Sequence, residues 1–389
     1  MSAASATGNL FLPTGTGPIL VEFFASLSTI FTVFAAVLLW MLARFNVTGA
    51  EVGAALLVAA ILPSTLVAQQ TSALESKTVQ FVLTVVIAWA CARLVTNPAV
   101  LRWFIFFIML YGISTFFLIV MFGSSDPNTG RLSYLGMNPI GVGRMLGYGL
   151  ITLIALTSMR SAVIRFLALG AALALGAAMT LTQSSGPIVA SLAALMVVFL
   201  ISQTRTHLNT RLLLLGCITA SSTALLFLLF APSTVDRAWQ NLAEDLSGRL
   251  ALWRQSLEIF IRNPFGIGLA NMPEFTPGRT AEGLEYSHNL FLEIGVEGGV
   301  IFLATVAILI FLSASATLKM PRDRYSTCLA LIWLAAFVNA QVSSSIVGNR
   351  LFWVVLLIPL GAAVGTSYSF SPRKNGPAVR APHPGGYTI

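Results

Sequence analysis

Residues 286–318 have the sequence YSHNLFLEIGVEGGVIFLATVAILIFLSASATL, in which a short polar stretch runs directly into a long apolar one. The apolar part, residues 294–318, is long enough to span a bilayer, which takes about 20 apolar residues. Glu293 and Glu297 lie at the start of this span, where ionisable groups are costly and mostly functional. His288 comes just before them and is one of 3 histidines in the chain. This stretch predicts a membrane helix with a candidate reactive group at one membrane face.

The composition of the whole chain is that of a polytopic membrane protein. Only 9% of the 389 residues are charged, whereas soluble domains carry roughly 25%. Apolar runs recur along the chain, and we predict an all-α integral membrane protein with about eleven transmembrane helices. The predicted spans are 18–43, 49–68, 78–97, 100–122, 141–159, 163–181, 187–203, 211–231, 289–318, 325–347 and 350–369.

The distribution of positive charge predicts the orientation. If alternate loops are assigned to the cytoplasm, starting after the first span, they contain more than half of the 22 Lys and Arg residues. The positive-inside rule then puts the N-terminus outside the cytoplasm and the C-terminus inside it. The net charge of +8 follows from this topology and from contact with anionic headgroups, so it implies no nucleic-acid partner.

The same assignment divides the chain into three parts. Residues 1–370 are expected to form the membrane domain, and residues 232–288 within it form one large external loop. Residues 371–389 are rich in proline, glycine and basic side chains, so a disordered cytoplasmic tail is expected there. Loops as long as 232–288 are mostly functional in compact folds.

Part of the external loop, residues 246–262, has helical periodicity. Its apolar stripe consists of Leu246, Leu250, Trp253, Leu257, Phe260 and Ile261. Arg249 and Arg254 flank this stripe, which predicts a helix lying in the membrane interface with its arginines near the headgroups. Leu252 and Ile259 interrupt the pattern, so the predicted amphipathicity is moderate.

His288 is the first candidate for chemistry. Imidazole titrates near neutral pH, so at a wet membrane face it can accept a proton from a hydroxyl nucleophile. The alternative is a histidine at a helix start that is bonded to backbone or headgroups. Asn289 and Glu293 are four residues apart and are expected to share a helix face in a supporting role. Glu293 is five residues from His288, so it cannot be assumed to orient the ring.

Five arginines are expected on the same membrane face as His288. They are Arg144, Arg249, Arg254, Arg279 and Arg350. Guanidinium groups suit pyrophosphate and can stabilise a phosphate leaving group. The alternative for each of them is a contact with lipid headgroups.

Several kinds of chemistry have no sequence signature here. The acids of the external loop lack metal-ligand spacing, and the chain has no Walker loop, no dinucleotide fingerprint and no nucleophile elbow. We therefore predict no metal and no cofactor, and a substrate that is already activated on a lipid.

These elements together resemble the O-antigen ligase and O-antigen polymerase superfamily. The resemblance extends over residues 138–353 and rests on an ordered set of motifs. The stronger ones are Ser247-Gly248-Arg249…Trp253, Asn263-Pro264-Phe265-Gly266-Ile267-Gly268 and Ser287-His288-Asn289…Leu292-Glu293…Glu297-Gly298-Gly299; the weaker ones are Asn138 to Arg144 and Gly348 to Trp353.

The resemblance implies a metal-independent, GT-C-like glycosyltransferase of the bacterial inner membrane. Its donor would be an undecaprenyl-pyrophosphate-linked glycan, used at the periplasmic or external face, and its acceptor a glycolipid or a lipid-linked glycan. By this resemblance His288 would activate the acceptor hydroxyl, which attacks the anomeric carbon with inversion. Arg144, Arg249 and Arg254 would hold the departing pyrophosphate.

One position departs from the family pattern. Members often carry a basic residue where this chain has Ser185, in the segment 182–187. One phosphate contact is therefore missing, or another arginine supplies it, or the substrate belongs to a different subclass.

The sequence leaves several functions open. It does not separate a ligase, which transfers to the lipid A core, from a polymerase, which transfers to another lipid-linked repeat; a protein-targeted transferase is a third option. A transporter or flippase for lipid-linked sugars is the main rival, and it predicts functional charges at mid-membrane. A cell-wall glycan polymerase would need a catalytic aspartate, for which Asp236 and Asp245 are the candidates.

Overall fold

The structure is a computed structural model that describes residues 47–68, 72–125, 130–156, 162–202, 249–275, 286–321, 323–342 and 345–369. The predicted spans 18–43 and 211–231 and the tail 371–389 lie outside these residues. Within the described parts, the chain is helical apart from a two-stranded antiparallel hairpin. The helices are α1 (Gly49–Val67), α2 (Ser72–Val95), α3 (Pro98–Phe122), α4 (Pro139–Leu156), α5 (Ala162–Leu181), α6 (Ser185–Ser202), α7 (249–262), α8 (Met272–Phe275), α9 (Leu290–Glu293), α10 (Gly299–Lys319), α11 (Arg324–Val342) and α12 (Arg350–Ser369); the strands are β1 (Gly123–Ser125) and β2 (Leu132–Tyr134).

The predicted class, an all-α membrane protein, is confirmed. Five helical segments of the described chain are long and apolar enough to cross a membrane, and four further apolar helices are shorter. The long segments are Gly49–Leu66, Leu74–Val95, Pro98–Phe122, Leu290–Lys319 and Arg324–Val342. Two predicted boundaries are wrong by several residues, because α2 begins at Ser72 and α11 ends at Val342.

Local side-chain chemistry explains why the first helices begin where they do. The Thr48 side chain caps α1, and the Glu51 carboxylate accepts from the Thr48 N–H at 2.7 Å, which completes a capping box. At the start of α3, the Asn97 side chain accepts from the N–H of Ala99 at 2.9 Å. Pro98 follows at the first helical position, where no hydrogen-bond donor is needed.

The helices pack into two groups that share contacts. In the first group, α12 packs against α1, α2, α10 and α11. Aromatic rings fill its centre: the Phe81 centroid lies 5.5 Å from that of Phe302 and 5.4 Å from that of Trp353. In the second group, α4 packs against α3, α5 and α6. Because α11 contacts α4 and α6 as well as α12, it connects the two groups.

The predicted span 289–318 is not one regular helix. A π-helical turn, Ile294–Gly298, separates α9 from α10, and Gly299 has a φ of +76°. A π turn shifts the backbone hydrogen bonds, and the carbonyls of this turn accept from a neighbouring loop instead. The N–H of Ile267 donates to Val296 at 2.9 Å, and the N–H of Gly268 donates to Glu297 at 2.9 Å. The glycine-rich loop after α7 is therefore built into the irregular part of this span.

The helix α7 packs on the protein through the residues that interrupt its predicted stripe. Leu252 and Ile259 are buried, and they pack in one cluster with Ile267, Met272 and Val296. Leu250 is 60% exposed and Ile261 is 69% exposed. The helix thus has apolar residues on two sides, and Leu252 and Ile259, which interrupt the predicted stripe, are buried against the protein.

Candidate active site

The segment 286–289 is bound to α7 through Ser287. Trp253 on α7 donates its indole N–H to the carbonyl oxygen of Ser287 at 3.0 Å, and Ser287 is fully buried. The half-buried His288 has a φ of +52°, a conformation that is uncommon outside glycine. Its ring centroid lies 4.4 Å from that of Tyr286. The neighbours of His288 therefore fix an unusual backbone turn at the predicted reactive residue.

Asn289 is the residue that starts the following helix. Its side-chain oxygen accepts from the N–H of Leu292 at 3.1 Å, and its amide group donates to the carbonyl oxygen of Gln341 at 3.1 Å. Its backbone is extended, with a φ of −141°. The expectation that Asn289 and Glu293 share a helix face is therefore wrong, because Asn289 caps the helix and is not part of it.

A second predicted site residue binds at the carboxyl end of α11. The guanidinium group of Arg249 donates to the carbonyl oxygen of Val342, which follows Gln341. Carbonyl groups at a helix end lack partners within the helix and accept well from cations. The end of α11 thus binds both Arg249 and Asn289, and this brings two predicted site residues of different loops together.

Arg144 contacts the turn 345–349 between α11 and α12, which ends directly before Arg350. Nη1 of Arg144 lies 3.4 Å from the carbonyl oxygen of Gly348, which stands two residues before Arg350. Arg144 also interacts electrostatically with Tyr286, whose ring contacts His288. Arg144 therefore links this turn to the histidine.

Of the two remaining predicted arginines, the described part of the chain contains one. Arg254 is exposed on α7. Arg279 lies outside the described residues. The structure accordingly brings Asn289, Arg144 and Arg249 to backbone carbonyl oxygens within residues 341–348. His288 directly precedes Asn289, and Arg350 is exposed at the start of α12.

Glu293 has a role that its spacing in the sequence did not reveal. One carboxylate oxygen accepts from Nζ of Lys77 at 2.8 Å, and the other accepts from the N–H of Ile346 at 3.0 Å. Lys77 also binds both carboxylate oxygens of Glu297, at 2.9 Å and 2.6 Å. Both glutamate side chains are fully buried, and Lys77 is 14% exposed. Both carboxylate oxygens of Glu293 are thus bound, one by Lys77 and the other by Ile346.

Sequence analysis assigned no role to Lys77. A signal existed, because two acids at the start of an apolar span need a compensating cation. The chain offers several cations on that side, however, and Lys77 is 216 positions away from Glu293. Lys77 is the partner of these two acids only because α2 packs beside the π turn.

The turn at the atypical Ser185 lies beside another arginine. Gln183 has a φ of +49°, and its amide group lies 3.4 Å from the carbonyl oxygen of Gly130. Gly130 immediately precedes the half-buried Arg131 and the strand β2. An arginine is thus present next to the segment in which relatives of the family often carry a basic residue.

Residues 169–307 match the family model described as O-antigen ligase. This match confirms the resemblance to the O-antigen ligase and polymerase superfamily over that part of the chain, which includes His288, Asn289, Arg249 and Glu293. A search of curated proteins found no match. The described chain is thus a membrane protein in which residues 169–307 are similar to O-antigen ligases.

Proposed function

We propose that this protein is a glycosyltransferase that moves a glycan from undecaprenyl pyrophosphate to an acceptor hydroxyl at the periplasmic face of the inner membrane. The acceptor is either the lipid A core or another lipid-linked repeat. The observation that carries the proposal is that Asn289, Arg249 and Arg144 bind backbone carbonyl oxygens within residues 341–348, and that the matched O-antigen ligase region contains His288, Asn289 and Arg249.

In the proposed reaction, His288 removes the proton of the acceptor hydroxyl as that oxygen attacks the anomeric carbon. The bond between the anomeric carbon and the pyrophosphate oxygen breaks, with inversion, and the electron pair leaves with undecaprenyl pyrophosphate. The proton on His288 then passes to water. General-base catalysis of this kind contributes about 10²–10⁴-fold to a rate.

The arginines are assigned to the leaving group. Guanidinium groups bind phosphate oxygens through paired hydrogen bonds and stabilise the negative charge that develops there. Arg144 and Arg350 are the first candidates. The guanidinium group of Arg144 contacts the turn 345–349, and Arg350 directly follows this turn. Arg144 also interacts with Tyr286. The guanidinium of Arg249 is held by the end of α11, and Arg254 is left on the exposed side of α7.

The test is glycan transfer by the purified protein with an undecaprenyl-pyrophosphate oligosaccharide as donor and EDTA present. His288→Asn is the informative variant, because asparagine tolerates the positive φ of this position but cannot act as the base. Wild-type transfer should survive chelation, and His288→Asn should lose about 10²-fold or more. Loss of wild-type transfer with EDTA would disprove metal independence.

Two acceptors, lipid A core and a lipid-linked repeat, are supplied in separate reactions. The productive acceptor separates a ligase from a polymerase. Full activity in His288→Asn excludes the proposed base. Donor binding without transfer to either acceptor favours the alternative, a transporter or flippase for lipid-linked sugars.

A further inference from the structure

A buried charge cluster, formed by Lys77, Glu293 and Glu297, lies behind the site and is not used in the proposed reaction. One ammonium group faces two carboxylates, and both glutamate side chains are fully buried. Burying ions is expensive, and removing Lys77 would be strongly destabilising because it would leave two buried carboxylates without their cation. Such a cluster persists only where its geometry is well determined by its surroundings.

The two glutamates make different contacts. Glu297 directs both carboxylate oxygens to Lys77, at 2.9 Å and 2.6 Å. Glu293 gives one oxygen to Lys77 at 2.8 Å and the other to the N–H of Ile346 at 3.0 Å. Only Glu293 therefore connects the lysine to the turn 345–349.

The turn 345–349 lies beside Arg144 and Arg350. The carbonyl oxygen of Ile346 accepts from the indole N–H of Trp353 at 2.8 Å, so both backbone groups of Ile346 are fixed. Two residues later, the carbonyl oxygen of Gly348 lies 3.4 Å from Nη1 of Arg144. Arg350 follows at the start of α12. A displacement of Ile346 would thus move the partner of one arginine and the backbone of the other.

We propose that Lys77 is a positioning residue for the binding of the lipid-linked pyrophosphate. Lys77 holds Glu293, Glu293 holds the turn 345–349, and the turn aligns Arg144 and Arg350 with the phosphate groups. Lys77 itself does not touch the substrate. The inference rests on the proposed function, because it assigns the arginines at this turn to the donor.

The test compares Glu293→Ala with Glu297→Ala. Each variant removes one carboxylate from Lys77 and leaves a one-to-one ion pair, but only Glu293→Ala releases the N–H of Ile346. Two quantities are measured in nanodiscs: the affinity for glycan-free undecaprenyl pyrophosphate, and hydrogen exchange of the backbone at residues 345–349. We expect Glu293→Ala and Lys77→Met to weaken binding by about tenfold or more and to speed exchange, and Glu297→Ala to weaken binding by less than about threefold.

Lys77→Arg is the rescue variant, because it keeps a cation beside both carboxylates, and it should bind the lipid more tightly than Lys77→Met. If the alanine variants do not fold, Glu293→Gln and Glu297→Gln provide the same comparison. Glutamine keeps the side-chain volume but replaces a charge-assisted hydrogen bond to Ile346 with a weaker neutral one.

Three results would overturn the inference. Unchanged exchange at residues 345–349 in Glu293→Ala would show that the carboxylate does not hold the turn. Faster exchange with unchanged lipid affinity would show that the turn lies outside the donor site. If lipid binding weakens equally in the Glu293 and Glu297 variants, the cluster contributes only to general stability. The proposed function is judged separately, by transfer in His288→Asn.

Discussion

Nζ of Lys77 lies 2.8 Å from Oε1 of Glu293, which joins residues 216 positions apart in the chain. The other oxygen of the same carboxylate accepts from the N–H of Ile346. One buried side chain therefore ties α2, the end of α9 and the turn before α12 to one another. This contact fixes the π turn relative to the turn 345–349, which Arg144 contacts and which Arg350 directly follows.

Gly266 is predicted to be intolerant of any side chain. Its φ is +88°, and a Cβ atom added there would lie 2.6 Å from the carbonyl oxygen of Glu297. Gly266→Ala combines a strained backbone with a clash against the π turn, and such strain costs about 1–3 kcal/mol. We expect a lower thermal midpoint and lower transfer activity.

The matched control for this prediction is Gly170→Ala on α5, where an added Cβ meets nothing within 4 Å. Thermal unfolding monitored by circular dichroism in detergent measures both variants. If Gly266→Ala unfolds at the temperature of Gly170→Ala, the close packing of the loop against the π turn is not required.

The indole N–H of Trp253 is predicted to support catalysis by fixing the backbone beside His288. Trp253→Phe keeps most of the aromatic surface and removes the donor that binds Ser287 at 3.0 Å. A lost hydrogen bond of this kind costs about 0.5–1.5 kcal/mol. We expect kcat to fall several-fold with little change in the donor KM, because the arginines keep their contacts.

Steady-state glycan transfer measures this split between kcat and KM. Trp103→Phe serves as the control, because Trp103 is 60% exposed on the outer side of α3. A rise in KM with unchanged kcat in Trp253→Phe would contradict the assigned role.

Asn289 is predicted to act through both halves of its side chain. Asn289→Asp keeps an oxygen that can cap α9 but loses the amide group that donates to Gln341 at 3.1 Å. Asn289→Ala loses both contacts, and loss of a helix cap alone costs about 0.5–2 kcal/mol. The thermal midpoint should fall in the order wild type, Asn289→Asp, Asn289→Ala. Equal midpoints for wild type and Asn289→Asp would mean that the contact with Gln341 contributes nothing, and equal midpoints for the two variants would mean the same of the helix cap.

Asp323 is predicted to stabilise the start of α11 in a pH-dependent way. Burial tends to raise the pKa of this carboxyl, but hydrogen bonds from the Ser326 side chain and from the N–H groups of Ser326 and Tyr325 outweigh it and lower the pKa. A lowered folded-state pKa gives stability that is present above the unfolded pKa of about 3.9. It is lost as the pH falls through the folded pKa.

Asp323→Asn retains a capping oxygen and removes the charge, so it isolates this effect. The unfolding free energy of wild type should exceed that of Asp323→Asn above about pH 4, and the difference should shrink in more acidic solution. Denaturant unfolding over that pH range measures the difference. A constant difference at all pH values would rule out the carboxylate as its source.

The site was partly predictable from sequence and partly not. The motif around His288 and the arginine at position 144 stand out, because charged and polar residues at the ends of apolar spans are few and costly. The partner of each one was not predictable. Arg249 binds the end of α11, Arg144 reaches the turn at Gly348, and Asn289 begins a helix where periodicity predicts that it lies within one.

Sequence alone determined the class of this protein, since runs of about 20 apolar residues with few charges can be stable only as membrane helices. It also predicted the candidate reactive side chains, with His288 first among them. Tertiary structure alone decided that the span after His288 is broken by a π turn, that Leu252 and Ile259 face the protein, and that Lys77 pairs with two buried glutamates. The physical reason is that apolar periodicity records which residues avoid water but not which neighbour they meet. A hydrogen bond or ion pair between distant segments depends on how the helices pack, and no local pattern carries that information.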